Sequence, residues 1–146
     1  MAITSAICNS FKQEILEAEH NFTASTGNTF NLALYTSSAT LGASTTAYSS
    51  SNEITNTSGT AYSAKGKALT SVTPTLDSST AVCDFADVSW TSASFTANGC
   101  LIFNDSHSTD AAVCAVAFDG DKTVSSGTFT IQFPAAAATT AIIRIA

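Results

Sequence analysis

The sequence predicts a mainly all-β protein, an antiparallel β-sandwich of jelly-roll-like type with one short N-terminal helix. Near its end, Phe129, Ile131 and Phe133 alternate with polar residues. Such alternation is typical of a half-buried strand, because successive side chains leave a strand on opposite faces. Ser and Thr together make 44 of the 146 residues, and Thr favours pleated surfaces. About eight short apolar runs divided by turn residues indicate a sandwich or jelly roll.

Composition and charge fit one folded domain over residues 1–146. With 45% apolar residues, nine Phe and one Trp, the chain has enough apolar surface for a single core, and it is too apolar for intrinsic disorder. The net charge is −6 and the five basic residues form no cluster. We therefore expect no nucleic-acid partner, since phosphates require a basic patch. No stretch is long and apolar enough to predict a membrane span.

Residues 1–20 have a helical period instead. Ile3, Ile7, Phe11 and Ile15 recur every four residues, which predicts a helical segment in this part of the chain. An exposed stripe of this kind would form a contiguous apolar patch, which soluble monomers seldom display. Ile7, Phe11 and Ile15 are therefore candidate interface residues, packed on the sandwich itself, on a sister subunit or on another partner.

After the helix, apolar runs alternate with turn signals. We expect strands at residues 30–35, within 67–76, at 81–85, 88–90, 94–97, 99–104 and 112–118, and then at 128–133 and 141–145. Pro74 is expected to end the second of these, since proline cannot donate to a strand ladder. Asp119-Gly120-Asp121 predicts a hairpin or tight turn. The Ser/Thr-rich stretch 37–64 is long for a plain loop and is predicted to be a surface excursion with a short strand or two.

Four aromatic residues are candidates for contact with a ligand or a subunit: Tyr35, Tyr48, Tyr62 and Trp90. Tyr48 and Tyr62 lie in the 37–64 excursion, where we expect exposed side chains that contact another subunit or a glycan. Trp90 lies between Val88 and Phe95 in strand-like surroundings. We predict that its large ring belongs to the core or anchors a corner rather than stacking on a sugar.

The four cysteines, Cys8, Cys83, Cys100 and Cys114, are separated by 75, 17 and 14 residues. No CxxC or CxxH pair occurs, so the spacing gives little support to a zinc site or a disulfide framework. Three of the four lie in apolar stretches where Val or Ala would fit, and we interpret them as small buried hydrophobic residues. Reduced thiols and a start that lacks a secretion signal predict folding in a cytoplasm.

No constellation in the sequence predicts catalysis, and we expect neither enzyme activity nor a cofactor. His107 lies close to Asp105 and Asp110, but in a chain this rich in Ser the proximity does not single out a triad, and no nucleophile elbow is present. Asp119-Gly120-Asp121 would supply oxygen ligands to calcium, together with Asp105 or Asp110. The turn propensities of Asp and Gly explain that triplet without a metal, so we expect no metal site.

Four blocks of the chain resemble small virion structural proteins of tailed bacteriophages: SFKQEIL with HNF, TFNLALYTSSATLGASTTAYSSSNEI, DFADVSWTSASFTANGCLIFN, and GDKTVSSGTFTIQFPAAAATTAIIRIA. The resemblance spans nearly the whole chain. It implies a capsid decoration (cement) protein, made in the cytoplasm of a host bacterium and placed on the outer surface of the virion head. There it would clasp adjacent major capsid proteins, commonly as a homotrimer. The alternative is a tail- or fibre-associated module that binds a receptor or glycan on the host surface.

Overall fold

The computed structural model describes residues 2–55 and 59–146. The expected fold class is confirmed, with 48% of the residues in strands and 6% in helix. The elements in chain order are β1 (Ala6–Ile7), α1 (Asn9–Leu16), β2 (Phe30–Tyr35), β3 (Lys67–Ala68), β4 (Ser71–Asp77), β5 (Thr80–Phe85), β6 (Val88–Asn104), β7 (Ala112–Ile131) and β8 (Ile143–Ile145). They form a five-stranded sheet in the order β1-β7-β6-β2-β3 and a three-stranded sheet in the order β4-β5-β8. All named strand pairs are antiparallel.

The N-terminal segment differs from the predicted helix. Only α1 is helical, while Ile3 forms an isolated bridge with Leu41 and Ile7 lies on β1, opposite Cys114 of β7. The four-residue period therefore continues through a short strand into a helix of eight residues. Periodicity alone did not separate the two elements, because each of them turns an apolar side chain towards the same core.

Strands β6 and β7 form one long ribbon of 17 and 20 residues, where the sequence predicted several shorter strands. The hairpin expected at Asp119-Gly120-Asp121 is wrong. Register pairs Ala97 with Lys122 and Gly99 with Ala117, so the triplet lies in a bulge within a continuous strand. Its first two residues have φ values of 54° and 116°, the left-handed region that Asp and Gly tolerate both in turns and in bulges.

The central strand β2 is buried on both faces. All six of its residues are buried, although the alternating pattern predicted two different faces. The 37–64 stretch supplies part of the cover: the Tyr48 ring stacks on Phe103 of β6 at 4.7 Å, and Ile54 donates its backbone N–H to Leu34 O. Most of the described residues of this stretch are exposed, as expected of a surface excursion, and a few of its side chains cover the sheet; residues 56–58 lie outside the described part.

Strand β4 continues through Pro74, which was expected to end it. The register shifts between Val72 and Thr75, so the proline lies at a bulge. Because β4 is an edge strand of its sheet, the missing proline N–H removes no necessary ladder bond.

The end of β7 and the two residues after it confirm the alternation predicted for residues 128–133, although the apolar side chains are less deeply buried than expected. Phe129, Ile131 and Phe133 pack against the core while half-buried, and Thr128, Thr130 and Gln132 are exposed. This part of β7 has β6 on one side, whereas β1 covers the other side only near Cys114 and Ala115. An edge position leaves its apolar side chains partly accessible to water.

Candidate interaction groove

A groove of about 420 Å³ lies between α1, the segment that follows it and the three-stranded sheet. We call it the α1–β8 groove. Its lining is mostly apolar and consists of Phe11, Ile15, Ala18, His20, Asn21, Phe22, Thr23, Pro74, Ala81, Val82, Cys83, Ile143 and Ile145. The volume falls in the range of protein binding pockets.

The floor of the groove is one face of the three-stranded sheet. Register places Leu76, Ala81 and Ile145 abreast on β4, β5 and β8, so their side chains leave the same face. The next row, Cys83 with Ile143, is buried, whereas Leu76 is 72% and Ile145 56% exposed. The apolar face of this sheet therefore extends beyond the core that it covers.

The wall of the groove contains two of the candidate interface residues. Phe11 is only 3% exposed and packs on His20 and Phe22, with ring centroids 5.0 and 6.0 Å away. It therefore belongs to the core of its own chain. Ile15 is partly buried and lines the groove. Ile7, on β1, is also partly buried against the core, so the three residues do not form one exposed stripe.

Two exposed apolar side chains continue the floor of this groove. In the described part of the chain, the large apolar residues with high exposure are Leu16, Val72, Leu76 and Ile145. Leu76 and Ile145 belong to the row of Ala81 on the groove face of the sheet, whereas Val72 pairs with Asp84 and leaves the opposite face. Scattered single exposures are ordinary on protein surfaces, but Leu76 and Ile145 share one face with the apolar depression.

A buried polar cluster fixes the segment between α1 and β2. Asn104, fully buried on β6, has its side-chain oxygen occupied by the N–H of Ser106. Its Nδ2 therefore donates to His20 Nδ1 at 3.1 Å. Because Nδ1 accepts, Nε2 carries the proton of a neutral ring and donates to Glu14 Oε2 at 2.8 Å. This arrangement holds His20 in one orientation at the base of the groove.

Three carboxylates lie on or just after α1, the helix that forms one wall of the groove. Glu14 lies on α1, Glu17 is its C-cap and Glu19 follows two residues later. Glu17 accepts a hydrogen bond from Gln13, and Glu19 lies 3.5 Å from Nε2 of His107. These carboxylates oppose the helix dipole, so the packing of Phe11 rather than the charge distribution stabilises α1.

Tyr62 is not an exposed contact residue, contrary to the sequence expectation. Its side chain is 2% exposed, and its hydroxyl donates to Glu53 Oε1 at 2.7 Å and accepts from Leu34 N at 2.9 Å. Tyr48 is partly buried and donates to Glu53 Oε2 at 2.6 Å. Burial, and then the bond to Glu53, raise the pKa of Tyr48 to about 12. Trp90 is buried, as expected. Tyr62 and Trp90 are therefore held inside the molecule, whereas the Tyr48 ring stacks on Phe103 and keeps part of its surface exposed.

The residues considered for a triad or for calcium are engaged elsewhere. Lys65 binds Asp105 at 2.9 Å and Asp110 at 2.8 Å, and both bonds raise the pKa of Lys65 above its usual range. His107 shares a hydrogen bond of 3.0 Å with Thr109. Asp121 accepts a hydrogen bond from Asn98 of β6. Asn98 lies six residues before the end of β6 that leads into Asp105, so Asp121 is about 20 Å from Asp105. Within residues 2–55 and 59–146, no group of three or more His, Cys, Asp or Glu side chains is placed to hold a metal.

The interpretation of the cysteines as buried core residues is confirmed. All four are free and buried. Burial, the leading cause in each case, raises the pKa of Cys8 and of Cys83 to about 11 and that of Cys100 to about 12. Thiols in such surroundings stay protonated and unreactive at neutral pH.

The floor of the groove was not predicted from the sequence. The alternation of Ala141, Ile143 and Ile145 was a usable signal, because it predicted an apolar face on the last strand. What it lacked was the pairing of β8 with β5 and of β5 with β4, which aligns Ile145 with Ala81 and Leu76.

Comparisons with known proteins add no relative. No helix in the described ranges is both long and apolar enough to cross a membrane. No family model, curated protein or solved structure matches this chain.

Proposed function

We propose that this chain is a virion structural protein of a tailed phage, a decoration protein that bridges and stabilises capsomers on the outer head surface. The proposal begins from the resemblance of its four sequence blocks. The observation that carries it is the apolar α1–β8 groove with the exposed side chains of Leu76 and Ile145 beside it, because apolar grooves and patches on a surface mark sites of protein interaction.

We propose that the protein attaches to the shell by burying this apolar surface. The row of Leu76, Ala81 and Ile145 would be covered by the major capsid protein. The net charge of −6 would discourage contact with DNA, as suits a position outside the shell. A homotrimer forms part of the proposal: once one of its copies is bound, the others are held at high effective concentration near further shell sites.

Copy number on purified virions tests this role directly. A quantitative gel, with cryo-electron microscopy of the heads, should give hundreds of copies on the head surface. A few copies confined to the tail would contradict the proposal and favour the receptor- or glycan-binding alternative. Light scattering of the purified protein tests the trimer separately, and a monomer at micromolar concentration would remove that part alone.

A matched pair of variants tests the surface. Leu76→Asp places a charge in the exposed apolar row, so we expect loss of binding to undecorated heads with little change in Tm. Thr75→Asp, one residue away on the opposite face of β4, adds the same charge and should bind normally. Equal binding by both variants would exclude this face as the attachment surface.

A further inference from the structure

We propose that the α1–β8 groove receives an extended segment of the partner chain, which adds as a strand to the free edge of β8 and carries alternating apolar residues flanked by basic ones. The inference rests on the proposed function in taking a shell protein as the partner. It adds the conformation and the chemistry of the segment that is recognised.

The two edges of the three-stranded sheet differ in what they offer to another strand. In the strand order β4-β5-β8, the outer side of β8 pairs with no strand among the described residues. The opposite edge, β4, is interrupted by Pro74 and a bulge, devices that natural sheets use to prevent further pairing. Strand β8 has neither a proline nor a bulge, and its three residues, with Arg144 in the middle, offer the backbone for a short added strand.

An added strand would meet the side chains on one face of β8. Ile143 and Ile145 face the groove, while Arg144 leaves the other face and donates to Ala138 O. Residues directly opposite each other on paired strands lie about 5 Å apart. Every second side chain of an added strand would therefore enter the groove beside the two isoleucines, and main-chain bonds with alternating pockets are the usual basis of strand addition.

The charges on the bordering elements select the flanks of the segment. Three carboxylates, Glu14, Glu17 and Glu19, lie on or just after α1, and Glu14 is bonded to His20 of the lining. Of the bases on these elements, Lys12 is bonded to Asn9 on α1, and Arg144 leaves the face of β8 that points away from the groove. A second copy of this chain, with its own net charge of −6, would meet repulsion here. A segment with lysine or arginine at its ends would meet attraction.

Synthetic peptides test the inference on the full-length protein. The probe is the acetylated and amidated peptide Lys-Thr-Val-Thr-Val-Thr-Lys, in which both lysines lie on the same face as the valines, and binding is followed by backbone amide shifts in NMR. We expect the shifts to centre on β8 and on Ala81 and Cys83. A Glu-flanked version should bind up to about tenfold more weakly at low salt, and this difference should shrink near 1 M salt, where charges are screened within about 3 Å.

Two controls distinguish strand addition from nonspecific binding of the peptide. A peptide N-methylated on alternate amides keeps its side chains but loses main-chain donors, so it should not bind; equal binding would overturn strand addition. Ile145→Thr should weaken the Lys-flanked peptide about fivefold or more, whereas Val72→Thr, a similar change outside the lining, should leave it unchanged. Shifts centred elsewhere, equal binding of the Glu-flanked peptide, or shifts of β8 that depend only on protein concentration would each overturn the proposal, the last in favour of a second copy.

The failure of this inference differs from the failure of the proposed function. If undecorated heads bind the protein and Leu76→Asp abolishes that binding, but no peptide binds at β8, the surface is correct and the strand segment is wrong. If the peptide binds as expected but heads do not bind, the groove recognises extended chains and the capsid role is wrong.

Discussion

The two sheets differ in how fully their apolar faces are covered. In the five-stranded sheet, β2 and the adjoining end of β6 are buried on both faces, with Leu32, Leu101 and Ile102 fully inaccessible. In the three-stranded sheet, burial stops after the row of Cys83 and Ile143, and the next row is open to water. Both sheets have apolar sequences, so coverage rather than hydrophobicity separates the part that stabilises the fold from the part available for binding.

The difference in coverage follows from what each sheet has beside it. The five-stranded sheet has the N-terminal residues and the 37–64 stretch against it, as the contact of Tyr48 with Phe103 illustrates. The three-stranded sheet has α1 and the short segment after it, and these reach only part of its face. A helix of eight residues spans about 12 Å, which is too short to cover the whole floor.

The largest expected effect is at Phe30, in the covered sheet. Its ring stacks on Phe22 with centroids 4.2 Å apart and is fully buried. Phe30→Ala should lower the free energy of unfolding by about 3–5 kcal/mol, as buried aromatic truncations do, measured by urea denaturation. Leu76→Ala, in the open row, should change it by less than about 0.5 kcal/mol. Similar losses for the two variants would show that the open row is packed as tightly as the covered sheet.

Tyr62 tests the polar attachment of the 37–64 stretch. Tyr62→Phe removes the hydroxyl that serves Glu53 and the N–H of Leu34, so a buried N–H and a partly buried carboxylate each lose a partner. We expect a loss of about 1–3 kcal/mol in unfolding free energy. Tyr48→Phe, which removes one bond from a more accessible ring, is the matched control and should cost less. A larger loss at Tyr48 would mean that the two hydroxyls have been ranked in the wrong order.

Much of the fold was predictable because its signals are local. The alternation at Phe129, Ile131 and Phe133 gave the correct faces, and the apolar surroundings of Cys100 and Trp90 gave their burial. Errors arose where a local signal serves two structures. Asp119-Gly120-Asp121 has turn propensities that suit a bulge equally well, and Pro74 fits an edge strand as well as a strand end.

The groove was the least predictable feature, because it depends on long-range pairing. The burial of Tyr62 follows from its contacts with Leu34 and Glu53, and nothing in the surrounding Ser and Thr residues indicates them. Likewise, Ile145 contributes to the groove only because β8 pairs with β5. Sequence patterns gave the face of each strand and left open which strand lies beside it.

Ile131 tests whether the distal part of β7 has intermediate coverage. It is half-buried against the core, so Ile131→Ala should cost about 1–2 kcal/mol, below the range of fully buried sites. Ile102→Ala makes the same change at a fully buried position of β6 and should cost about 2–5 kcal/mol. Equal costs in urea denaturation would show that this end of the ribbon is as well packed as the centre.

The smallest expected effect compares one thiol from each sheet by its pH dependence. Burial raises the pKa of Cys83 to about 11 and that of Cys100 to about 12, from 9.0. In the unfolded chain both thiols ionise above about pH 9, whereas in the folded chain they remain protonated, so rising pH favours unfolding. The stability that each thiol contributes is complete below pH 9.0 and is lost as pH rises towards the folded value.

The measurement is the difference in unfolding free energy between the unmodified protein and each Cys→Ala variant, at pH 7.5 and at pH 9.5. Alanine does not titrate, so each difference should shrink by just under about 1 kcal/mol, the linkage expected when only the unfolded thiol ionises in this range. The two thiols should behave alike, although Cys83 lines the groove and Cys100 lies in the covered sheet. A constant difference for Cys83→Ala beside a shrinking one for Cys100→Ala would show that water in the groove reaches the Cys83 row. The boundary between the covered and the open part of the three-stranded sheet would then lie one row deeper.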